Sequence, residues 1–143
     1  MVFRVVFAFA FLTIGAALQA APNVYAAGQV WEYRTRAADP GSLLKIQRID
    51  TDPRRAEHRT IYHISIIGVR LNDPTVQREI SHVPVSRETL DDSVTRLSSS
   101  QVPFPDASDG IAEWQRAKGG VFTTPIARII DVVEQTMRNS AQQ

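Results

Sequence analysis

The chain has 143 residues, 16 lysine plus arginine against 15 aspartate plus glutamate, a formal net charge of +1, and no cysteine. That length suits one domain with a core of its own, and the balanced charge argues against an electrostatic nucleic-acid binder or a polybasic membrane binder. The missing thiol excludes disulfide staples, a lipid-modified cysteine and a cysteine nucleophile.

Met1 to Arg4 form a short basic start, Val5 to Leu18 an apolar stretch broken only by Thr13 and Gly15, and small residues follow at Ala20 and Ala21. This is the pattern of a secretory signal peptide, expected to span residues 1–20, with cleavage after Ala20 or, as the alternative, Ala17. The apolar run is about 14 residues where a membrane span needs about 20, so no stable anchor is expected after cleavage. The reading implies a periplasmic or secreted protein, with a flexible lead-in over 21–28 and a single α+β domain over 29–140.

The first strand is expected over Gln29–Arg36, with Trp31, Tyr33 and Thr35 on one face. Asp39-Pro40-Gly41-Ser42 reads as a turn. In the second strand, Leu43–Asp50, Leu44 and Ile46 keep phase but Ile49 does not, which predicts a bulge near Arg48. Thr51–Arg59 reads as a solvated hairpin loop. Its Arg54, Arg55, His58 and Arg59 lack the glycine nest or helix terminus of an anion site. Thr60–Leu71 is the longest β-favouring run outside the leader and is apolar on both faces at its middle. It is expected at the sheet centre, bent or bulged at Gly68. A turn at Asn72-Asp73-Pro74 leads into a fourth strand, Glu79–Val85, where Pro84 marks a sheet edge.

After Val85 the period changes from two to about 3.6. Ser86 is expected to cap a helix with the stripe Leu90, Val94 and Leu97. Ser98–Asp109 is an irregular connection anchored by Val102 and Phe104. A short helix over Gly110–Lys118 presents Ile111, Trp114 and Ala117, with Gly119 ready as its C′ residue. Thr124 is expected to cap a last helix that has Pro125 at its first position and a stripe of Ile126, Ile129, Ile130, Val133 and Met137. Four strands followed by three helices predict a four-stranded antiparallel meander with the helices packed on one face. A small open barrel is the alternative suggested by the Gly28-x-x-Trp31 start.

His63 and His82 fall on strands expected to be neighbours, and Glu79 is a nearby carboxylate. Zinc needs a further ligand that no spacing supplies, so neither metal nor cofactor is expected. Ser65 with His63 and Ser86 with His82 are the close serine–histidine pairs; neither sits in a nucleophile elbow, so no catalytic residue is assigned. P-loop and dinucleotide glycine patterns are missing. Trp31, Tyr33, Tyr62, Phe104, Trp114 and Phe122 could line a pocket, although inward aromatics more often fill a core. If there is a small polar site, the junction His82-Val83-Pro84-Val85-Ser86 is its expected place, the plainer reading being a capped strand-to-helix junction.

Gly28-Gln29-Val30-Trp31-Glu32-Tyr33, His82-Val83-Pro84-Val85-Ser86 and Gly120-Val121-Phe122-Thr123 together resemble a group of small uncharacterised bacterial proteins with strands first and helices last. Val85 departs from that group in standing where a larger apolar residue is expected. The resemblance implies the fold and no activity.

The leader and the lack of a catalytic constellation point to an exported, non-enzymatic binding or interaction module. Its partner in the cell envelope would be a protein or small ligand, not nucleic acid. The candidate contact residues are His82, Ser86, His63, Trp31 and Tyr33. Two alternatives stand beside it: a metal-assisted or serine-type hydrolase using His63, His82 and Ser86, and a small-ligand protein whose aromatic pocket contains Trp31, Tyr33 and Tyr62.

Overall fold

A computed structural model describes residues 19–57 and 59–143; residues 1–18 of the predicted leader and His58 lie outside them. The elements in chain order are β1 (Val30–Tyr33), β2 (Leu43–Thr51), β3 (Thr60–Val69), β4 (Arg78–Val85), α1 (Arg87–Ser93), β5 (Val94–Ser98), α2 (Ser108–Arg116) and α3 (Ile126–Ala141). Among the described residues the fold is α+β: one antiparallel sheet in the order β4-β3-β2-β1-β5, with three helices. The sheet is open, with β4 and β5 at its edges, as Pro84 in β4 foretold.

The first four strands form the expected meander, and the fifth is a correction. Val94–Ser98, expected to continue the first helix, pairs with β1 instead, Trp31 opposite Leu97 and Glu32 opposite Arg96. The i, i+4, i+7 spacing of Leu90, Val94 and Leu97 fits a helix, but Val94 and Thr95 are β-branched and β1 would otherwise be a bare edge. Leu97 is accordingly 52 % exposed rather than inward. Helix α1 thus becomes the crossover that carries the chain from one sheet edge to the other.

Both faces of the sheet are covered. Trp31, Tyr33, Leu44, Ile46, Tyr62, Ile64, Ile66, Val83 and Val85 pack with Leu90 of α1 and with Ile126, Ile129 and Ile130 of α3. Helix α2 lies on the opposite face, where Trp114 meets His63 edge-on at 5.0 Å. The expectation of three helices on one face therefore fails for α2. Strand β3 is buried on both sides over Ile61–Ile66, so each side needs a cover. In the preceding connection Val102 is exposed; the anchors are buried Ala107 and the Pro105 carbonyl, which accepts from Gln47.

The predicted irregularities at Arg48 and Gly68 are present. Between Ile46 and Arg48 the β2–β3 register shifts, which brings Ile49 back to the core side and puts Arg48 opposite His63. Gly68 has φ 76° and carries a shift against β4. A further bulge sets Ser81 and His82 against the single Ser65, whose hydroxyl donates to the Ser81 carbonyl at 2.6 Å.

Long-range contacts fix the ends. Tyr25, in the predicted lead-in, is buried edge-on to Trp31 and Tyr62, and its hydroxyl donates to Asp91 at 2.7 Å. Ser86 caps α1 as expected, accepting from the Thr89 N–H. Thr124 does not cap α3: Pro125 stands at the N-cap, and the Ile126 N–H donates to Ser93 of α1 at 2.9 Å. Lys118, not Gly119, takes the left-handed conformation after α2, with φ 49°. Among the described residues no helix is long and apolar enough to cross a membrane.

Candidate functional site

The face under α2 carries a chain of polar side chains. His63 Nε2 lies 3.1 Å from Asp50 Oδ2, and His63 Nδ1 lies 2.9 Å from His82 Nε2. The local sequence makes this possible through its two bulges: the one at Arg48 turns Arg48 and Asp50 toward the His63 face, and the one at Ser81–His82 aims His82 at its neighbour. His63 is fully buried, and the two imidazoles lie nearly parallel, 23° apart, with centroids 5.1 Å apart.

Burial sets the charge state of this chain. It pushes His63 below the ordinary histidine range, against the pull of Asp50. His82 is pushed down to about 4, first by burial and then by the nearness of His63 and Arg48. Burial acts to raise Asp50, but hydrogen bonds and charge from Arg48, with His63, hold it below the usual carboxylate range. Both rings are therefore neutral near pH 7 beside an ionised aspartate. With Asp50 an obligate acceptor, the network assigns the His63 proton to Nε2 and leaves Nδ1 to accept from His82.

Asp50 also faces a groove of about 750 Å³ between the β2–β3 hairpin and the C-terminal end of α2. Trp114, Ile61 and Pro53 give it apolar walls, and Arg48, Arg54, Arg55 and Lys118 line it with Asp50 and Asp52. Trp114 is held from three sides: its Nε1–H donates to Gly120 O at 2.8 Å, its ring meets His63, and the Arg55 guanidinium lies 5.8 Å from its centroid. Arg55 also donates to Gly119 O at 2.6 Å, which ties the hairpin loop to the helix end.

Family models, curated proteins and solved structures yield no match to this chain.

Of the residues singled out in the sequence, the fold brings His63 and His82 together, and Asp50 rather than Glu79 supplies their carboxylate. Ser65 bonds to Ser81 O and Gln47, and Ser86 to Thr89. Ser86 lies four strand residues from His82, roughly 13 Å at about 3.3 Å per residue. Trp31 and Tyr33 sit in the core on the far face of the sheet. Among the described residues no group of three His, Asp or Glu side chains is placed to hold a metal ion. The sequence reading missed Arg48, Asp50 and Lys118 as site residues; the bulge was expected near Arg48, but the register that sets Arg48 and Asp50 against His63 comes from the fold.

Proposed function

We propose that this chain is an exported binding module that holds a small ligand in the groove between the β2–β3 hairpin and α2. The observation that carries the reading is the groove itself, with an apolar wall at Trp114 and several convergent charged groups, the usual make-up of a ligand site. The Asp50–His63–His82 chain has a supporting role in it. A neutral imidazole pair, His63 buried and His82 partly exposed, holds Asp50 and the edge of Trp114 in place and offers no atom to a substrate from fully buried His63. Among the described residues neither Ser65 nor Ser86 is hydrogen-bonded to a histidine, which weighs for binding over serine-type hydrolysis.

Two measurements test the proposal. N-terminal sequencing of the protein recovered from the periplasm or medium is expected to begin at Ala21; recovery only from the cytoplasm would remove the export half. Amide NMR shifts during a small-molecule screen are expected to cluster at residues 48–55 and 114–119, and shifts confined to the α1–α3 face would move the site elsewhere.

A further inference from the structure

We infer that the ligand of this groove is a small organic anion, a carboxylate or phosphate on an apolar body; the inference rests on the binding reading above. Four cationic side chains, Arg48, Arg54, Arg55 and Lys118, line the groove against two carboxylates, Asp50 and Asp52, a surplus of two positive charges. The internal pairing does not remove that surplus. Asp52 is shared by Arg54 and Arg55, and Asp50 is paired with Arg48. Lys118 has no ion pair or side-chain hydrogen bond among the described residues.

The C-terminal end of α2 also faces this region and contributes about half a negative charge, too little to cancel two positive ones. Arg55 already meets part of it through Gly119 O. The backbone adds a second, independent pointer. Lys118 holds φ 49° with two glycines directly after it, so a lysine occupies the left-handed turn position that glycine or asparagine would fill with less strain. Trp114, Ile61 and Pro53 give the apolar body its surface, and the volume suits a ligand of ordinary metabolite size.

The test is calorimetric titration of the purified protein at low ionic strength with benzoate, phenyl phosphate, inorganic phosphate, benzyl alcohol and benzylamine, followed in parallel by tryptophan fluorescence. Benzoate or phenyl phosphate is expected to bind at least tenfold tighter than benzyl alcohol. Their ranking separates a carboxylate from a phosphate ligand, and inorganic phosphate shows what the anion contributes without the apolar body. The preference is expected to shrink several-fold at about 0.5 M salt, where exposed charges are screened. Lys118→Gly relaxes the turn, so its fold is preserved; it is expected to lose most of the preference, and Lys118→Glu all of it. Benzyl alcohol or benzylamine binding in the groove as tightly as the anions overturns the inference and leaves the binding module standing. If no probe binds, or all bind outside the groove, both readings fall.

Discussion

His63 Nδ1 lies 2.9 Å from His82 Nε2, and on the other side His63 Nε2 lies 3.1 Å from Asp50. With both ring nitrogens committed, His63 cannot take a second proton without turning its acceptor Nδ1 into a donor aimed at His82. Protonating His82 places a cation against this buried ring. The pair therefore behaves as a neutral unit whose integrity depends on pH.

Acidification should destabilise the protein in a defined window. His82 has a folded pKa of about 4 against 6.5 when unfolded, so between those values the unfolded chain binds more protons. Stability is full above about pH 6.5 and falls as pH drops toward 4; the downward shift of His63 acts in the same direction. After discounting for the partly exposed His82 ring, the loss is on the order of 1 to 3 kcal/mol. Urea denaturation at pH 7 and pH 4.5 measures it. His82→Gln keeps a donor for His63 but does not titrate, so its pH dependence should be flatter; parallel curves for the two proteins would contradict the assignment.

Gly110→Ala should destabilise although alanine is the better helix former. A Cβ at Gly110 would stand 2.5 Å from the Cβ of His82, so α2 would have to lift from β4. Overpacking costs typically 1 to 3 kcal/mol, which outweighs the roughly 1 kcal/mol gained in helix propensity. Denaturant midpoints give the balance, and a red shift of Trp114 emission would report the lifted helix. A more stable Gly110→Ala protein would mean that α2 does not seat as described.

Ser93→Ala should cost about 1 to 2 kcal/mol, because it removes the acceptor for the Ile126 N–H at the start of α3 in a buried setting. Thr124→Ala, at the exposed position that the sequence favoured as the cap, should stay within about 0.5 kcal/mol. Thermal melts of the two variants side by side decide between the caps, and a reversed order would restore Thr124.

Arg36 links three parts of the chain, donating to Asp39 at 2.6 Å, to Glu134 of α3 at 2.8 Å and to the Arg70 carbonyl at 2.9 Å. The Asp39 side chain is fully buried, so Arg36→Ala strands a charge and should cost about 3 kcal/mol or more. In a double-mutant cycle, adding Asp39→Ala should add much less than its own single cost. Additive losses would show that the pair is not energetically coupled.

Much of the fold was legible because it is written in short-range pattern. Period-two alternation located β1 to β4, and the slip at Ile49 announced the Arg48 bulge. The serine after Pro84 announced the cap of α1, and the stripe from Ile126 to Ile130 announced the helix that covers the core. The site was half legible. His63 and His82 could be expected on neighbouring strands, but Arg54 and Arg55 read as a solvated loop until Trp114 and Lys118, some sixty residues further on, were seen to form the facing wall.

The sequence by itself determined where β1 to β4 and the three helices form, because alternation, capping and turn chemistry act over a few residues and each is worth a few tenths to about one kilocalorie per mole. Tertiary structure decided three things. Val94–Ser98 became a strand because the bare edge of β1 offered it a ladder of hydrogen bonds that outweighs a narrow helical stripe. Ser93 displaced Thr124 as the cap of α3 because α1 delivers its hydroxyl to the Ile126 N–H. Helix α2 went to the far face because β3 is buried on both sides, and a sheet with two buried faces needs a cover on each.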